Sequence, residues 1–172
     1  TYPANFILVA TQNPCPCGNL GSQKTCTCST STIMRYQQRV SGPILDRIDL
    51  FVSVNDINYE QIITDVPQGE ASEIIQQRVK KAIVAQHTRF GNNSYNSQMS
   101  NRSIKANAQL SASAKQLLDQ ASSKLELSAR AYVRCIRTAR TIADLDNSQT
   151  IENSHIGESI QYRQPAVSSL II

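Results

Sequence analysis

Apolar positions along the chain change their period once. Residues 6–10, inside "NFILVATQN", form an unbroken apolar run that ends in small polar residues. That is the pattern of a strand buried on both faces of a parallel sheet. Behind a Gly42-Pro43 break, Leu50, Val52 and Val54 alternate with Phe51 and Ser53, which predicts a second strand over residues 49–54. Residues 30–40 between them suit a short helix.

From residue 72 the spacing becomes helical. Ile74, Ile75, Val79, Ala82, Ile83 and Gln86 predict a helix over residues 72–90, with Ser72 as N-cap and Gly91 as its stop. "GNNSYNSQMSNRS", residues 91–103, is polar and turn-rich and reads as a mobile loop. Further helices are expected at 111–123, 128–146 and 154–163. "PAVSSLII" then follows as a frayed tail.

Two strands alone make no stable buried sheet. The expected fold is therefore mainly α with a small β part. Residues 1–57 would be the edge of an α/β core, residues 58–163 a helical subdomain, and residues 164–172 a flexible tail. The opening residues already read as core strand, so the chain is expected to be an excised piece of a longer protein.

Composition narrows the class. A chain of 172 residues has room for a real core, burying roughly 70% of its unfolded surface. Aromatics are only 5% and tryptophan is absent, so Ile, Leu, Val and Ala must fill that core. No apolar run approaches the roughly 18 residues a membrane span needs, and "TYPANFILVATQNP" lacks the basic start of a signal peptide. A cytoplasmic, reducing setting is the expectation. There, clustered cysteines favour metal over disulfide. A net charge of +4 permits an acidic or nucleic-acid partner without requiring one.

Four of the five cysteines crowd into "NPCPCGNLGSQKTCTC". Cys15 and Cys17 form one C-x-C, and Cys26 and Cys28 form another. Two chelating pairs joined by a Gly-containing loop suit a closed tetrahedral Zn²⁺ site; free thiols or a redox-labile pair are the alternatives. Asn13 ends the first predicted strand, where ligands of open α/β sheets bind. It reads either as a phosphate or water ligand or as a turn residue before Pro14. Arg47, between Asp46 and Asp49, reads either as a surface ion pair or as an arginine offered to a neighbouring subunit's phosphate.

In the helix after Ser128, Arg130, Arg134 and Arg137 fall within about 60° of one another. Like charges in one stripe call for an anion or carboxylates opposite, and Arg130 in the first turn meets an unfavourable helix dipole. A solvated basic face is the competing reading. Asp144 lies four residues after Arg140 and is placed to pair with it. His87, His155 and Cys135 stand alone and read as packing or surface residues.

Taken together, "FILVATQNPCPCGN", "CTC", "RVSGPILDRIDLFVSV", "LSARAYVRCIRTARTIADLD" and "SIQYR" resemble the C-terminal part of the ComM/YifB family, the magnesium-chelatase-like AAA+ ATPases of bacteria. The resemblance implies that Asn13 is the sensor 1 residue, Arg47 the arginine finger, and Arg130 the sensor 2 arginine at the start of a lid helix. It also implies an AAA+ core edge followed by a lid subdomain, ATP and Mg²⁺ as cofactors, a homo-oligomeric ring expected to be a hexamer, and DNA as partner. The implied activity is ATP-driven DNA remodelling or branch migration, linked to natural transformation and recombination. Neither G-x-x-x-x-G-K-[ST] nor an acidic Mg²⁺ motif occurs in these residues, so the chain by itself is expected to be silent. A zinc-knuckle nucleic-acid-binding module and a metal chelatase subunit remain as alternatives.

Overall fold

Serine caps and apolar stripes set the helix boundaries. The computed structural model describes residues 6–54 and 69–163. Its helices are α1 (Thr30–Gln37), α2 (Gly42–Leu45), α3 (Ser72–Phe90), α4 (Asn101–Asn107), α5 (Ala112–Lys124), α6 (Ala129–Leu145) and α7 (Asn153–Gln161), with a 3₁₀ turn at Asn96–Gln98. Ser29, Ser100, Ser111 and Ser128 each accept a hydrogen bond from a backbone N–H in the first turn of α1, α4, α5 and α6. α3 spans the residues its sequence suggests, but Ala71 rather than Ser72 is its N-cap. It ends where expected, on a left-handed Gly91 whose N–H bonds the His87 carbonyl.

α6 is the hub of the bundle. It packs against α3, α4, α7 and the 3₁₀ turn, while α5 packs on α7. One face of α6 contributes Cys135, Ile136, Ala139 and Ala143 to a buried cluster. Leu118 of α5, Ile156 of α7 and Met99, Ile104 and Ile151 complete it. A parallel bridge between Leu110 and Ile151 ties the segment before α5 to the one before α7.

One expectation is corrected and another is not shown among the described residues. Residues 91–103 are no loose loop: Asn96 and Met99 are buried, and residues 101–103 already belong to α4. Among the described residues there is also no β-strand. Residues 6–10 and 49–54 carry no ladder, and Phe6 is 75%, Ile7 92% and Val54 88% exposed. A strand is stabilised by hydrogen bonds and side chains from neighbours on both sides, and neither segment has such a neighbour here. The expected domain boundary at 57/58 and the tail at 164–172 lie outside the described residues.

Candidate functional site

The cysteine loop is built by tight turns. Gly18 sits at φ +79°, which an L side chain rarely adopts, and its N–H bonds the Cys15 carbonyl at 3.0 Å. Ser29 caps α1 directly after Cys28, and Gln37 at the far end of α1 reaches back to the Pro14 carbonyl at 3.1 Å. These constraints fold the two C-x-C pairs onto each other. The Cys15 sulfur lies 3.4 Å from Cys17 and 3.7 Å from Cys26, and Cys17 lies 3.6 Å from Cys26. All four sulfurs, Cys28 included, fall within 4.8 Å of one another.

A regular tetrahedron with Zn–S bonds of about 2.3 Å has edges of about 3.8 Å. The three separations among Cys15, Cys17 and Cys26 are within a few tenths of that value. Backbone N–H groups of Asn19 and Thr27, then the Cys15 thiol, pull Cys17 down to about 5. A backbone bond from Cys28 favours the Cys26 thiolate, yet lost hydration and the Cys17 and Cys15 sulfurs outweigh it and push Cys26 up to about 12. Cys28 is raised too, against a favourable backbone bond from Cys17, by the Cys17 sulfur, lost hydration and Cys15. Cys26 and Cys28 thus resist joining Cys17 as thiolates until a cation sits among the sulfurs. The donor set fits a soft divalent ion in a closed, structural site, and all four sequence-predicted ligands are brought together.

Asn13 stands at the root of this loop, exposed, with its amide 3.9 Å from the position a Cβ on Gly18 would take. Arg47 is exposed as well and donates to the Pro43 carbonyl at 2.6 Å, back onto α2. Its two acidic neighbours do not pair with it. Asp46 accepts from Ser128 Oγ at 3.0 Å and from Arg130 at 3.1 Å, while Asp49 accepts from Arg134. The Asp46 carboxyl loses some hydration, which favours the neutral acid, but the Ser128 and Arg130 bonds win and hold it below the usual aspartate range.

The three-arginine stripe is thus real, and the segment after α2 supplies the carboxylates opposite it. That segment is strapped to the bundle at more points. Phe51 donates its N–H to the Tyr162 carbonyl at 2.9 Å, and Arg163 donates to the Ile48 and Asp49 carbonyls at 3.2 Å. Arg137 donates to the Met99 carbonyl, and its Nε is buried without a partner. Burial, then the Arg134 charge, push its guanidinium below the usual arginine value. Asn101, Ala129, Arg130, Val133, Arg134 and Arg137 line a cleft of about 330 Å³ beside the start of α6.

The match to known proteins decides the family. Residues 69–163 match the sequence profile of "Magnesium chelatase, subunit ChlI C-terminal", and residues 1–62 match "Magnesium chelatase, subunit ChlI". The chain belongs to the magnesium chelatase ChlI family. Within it, the chain is similar to the competence protein ComM of Haemophilus influenzae, 36% identical over 162 residues that cover 94% of this chain and 31% of ComM. It is equally similar to YifB of Escherichia coli K12, 36% over 173 residues, covering all of this chain and 33% of YifB. The chain therefore spans about a third of the length of the relatives it matches, in their C-terminal part. The break between the two ChlI profiles falls between α2 and α3.

The arginine stripe is visible in the sequence but its acidic partners are not, because Asp46 and Asp49 flank Arg47 and reach a helix 82 to 85 positions away. A buried polar knot in this ChlI bundle is not visible there either. Asp144 is 4% exposed and pairs with both Arg140 and Arg89. Asn96 donates to Asp144 at 2.8 Å and receives Arg89 at 3.0 Å, and its N–H bonds Gln86 at 2.9 Å. Only the Arg140–Asp144 pair had a signal, its i, i+4 spacing. Cys135 is a core residue, and His155 accepts from the Glu152 N–H that it caps. Among the described residues, no helix is long and apolar enough to cross a membrane.

Proposed function

We propose that the chain is the C-terminal part of a ring-forming, ComM-like AAA+ ATPase that couples ATP hydrolysis to remodelling or branch migration of DNA. Natural transformation and recombination are the processes it would serve, and the cytoplasm is the compartment this reading requires. The carrying observation is the stripe of Arg130, Arg134 and Arg137 at the start of α6, with the Arg47 turn bonded to it through Asp46.

Phosphoryl transfer needs positioning and positive charge on the phosphoryl oxygens. In this reading Asn13 orients the attacking water as sensor 1. Arg130 meets the phosphates of its own subunit as sensor 2, and Arg47 reaches those of the neighbour. Mg²⁺, bound with ATP by motifs that these 172 residues do not contain, neutralises charge between the terminal phosphates. The 172 residues alone are therefore silent. Cys15, Cys17, Cys26 and Cys28 hold Zn²⁺ as a clip that stiffens the loop between Asn13 and the Arg47 turn. Residues up to about 57 form the edge of the AAA+ core, and those from 58 to 163 its lid.

A chelatase subunit driving Mg²⁺ insertion into a porphyrin shares this ATPase core and is favoured by the names of the two matched profiles. Similarity to the competence protein ComM favours DNA. Stimulation of ATP turnover by DNA and not by a porphyrin supports the first reading; the reverse supports the second. In the full-length protein, Arg47→Ala should lower hydrolysis by roughly 10³-fold or more while ATP still binds. Lost binding with unchanged turnover of bound nucleotide would remove the finger role.

A further inference from the structure

Arg130, Arg134 and Arg137 span about 10 Å along the α6 axis, longer than one phosphate and comparable with a chain of several. Two of the three already carry an internal anion. Asp46 sits on Arg130 and Asp49 on Arg134, and both acids come from the short segment that also carries Arg47. The third, Arg137, has a carbonyl for a partner and an orphaned Nε. Three cations face two carboxylates, so the cleft keeps an excess positive charge. Asp49 is largely exposed and Asp46 partly so, which leaves both able to swing away.

We infer that the whole stripe is a polyphosphate site in which Asp46 and Asp49 are internal stand-ins for phosphate, displaced when a phosphate chain enters. Arg134 and Arg137 thereby become binding residues in addition to Arg130. Displacement also breaks the Asp46 and Asp49 ties to α6 and leaves the segment after α2 held by Tyr162 and Arg163. Filling of one subunit's cleft thus loosens the turn that presents Arg47 to the next subunit. The exchange is of ion pairs only; no bond is made or broken. The inference rests on the reading of Arg130 given above, and extends it from one residue to a site with its own competitor.

The test uses inorganic tripolyphosphate titrated calorimetrically into the 172-residue chain, with ATP titrated into the full-length protein as a second arm. Asp46→Asn keeps an acceptor for Ser128, and Asp49→Asn changes an exposed side chain, so both should remain folded by circular dichroism. An exposed ion pair contributes up to about 1 kcal/mol, so each substitution should tighten tripolyphosphate binding roughly twofold to fivefold. Arg134→Ala should weaken it. Unchanged or weaker binding in both Asp variants, or no binding by the wild-type chain and the Asp46→Asn/Asp49→Asn double variant, overturns the inference. So does a short single-stranded oligonucleotide that displaces tripolyphosphate at lower concentration, which would reassign the cleft to nucleic acid. Failure of the ATPase reading is separate: it is seen as hydrolysis by the full-length protein that Arg47→Ala leaves intact.

Discussion

The helical bundle after residue 69 and the segment before residue 54 are held together by different means. The bundle supplies its own partners: α6 is covered by α3, α4 and α7, and Leu118, Ile151 and Ile156 are fully buried. The N-terminal segment buries Cys15 and Ile33 but leaves Phe6, Ile7, Leu8 and Val9 exposed. It is organised by turns, four converging sulfurs and a strap onto α6 and α7. The contrast teaches that an apolar run is a demand for neighbours, whereas a capped amphipathic helix brings its answer with it.

The largest expected effect lies in the bundle's polar knot. Asp144→Ala leaves the buried Arg140 and the half-buried Arg89 without their carboxylate, and should cost about 3–5 kcal/mol in denaturant unfolding. A loss under about 1 kcal/mol would mean that the knot is not what joins α3 to α6. Next comes the core: Leu118→Ala should cost about 2–5 kcal/mol, while Leu8→Ala on the exposed segment should stay within about 0.5 kcal/mol. Equal losses at both sites would erase the contrast.

The same contrast explains what could be read in advance. α3 and α6 were legible because their apolar spacing agrees with the residues that bound them, Gly91 and Ser128. Asn96 was not, because its burial depends on Gln86, Thr141 and Asp144 returning its hydrogen bonds, and polar reciprocity leaves no periodic trace. Residues 6–10 carry no ladder here for the opposite reason: hydrophobicity announces a need for burial without naming the neighbour. Of the candidate site, the four cysteines and the arginine stripe were legible from spacing alone. The crossing of Asp46 and Asp49 to that stripe depends on how the chain returns after some 80 residues.

Metal removal should separate the two regions in a subtler way. A strong chelator should open the loop around Cys15–Cys28 to protease, while the melting transition of the bundle moves little. Concerted loss of both would show one cooperative unit. The smallest effect is electrostatic. The Asp46 carboxyl is held below its ordinary value of 3.8, so its tie to Ser128 and Arg130 is complete above that pH and is lost as pH falls through the depressed value. The strap should loosen only in strong acid, seen as faster amide exchange at Phe51, with less than about 1 kcal/mol at stake. Loosening near neutral pH would assign the strap to another group.

The central claim is that Arg47 and Arg130 act on phosphates of different subunits. Rings mixed from full-length Arg47→Ala and Arg130→Ala proteins, each inactive alone, test it most directly. Hydrolysis should reappear on mixing, because an Arg130→Ala subunit still offers its Arg47 to a neighbour whose own Arg130 is intact. No recovery at any mixing ratio, in rings shown to contain both variants, would contradict the account.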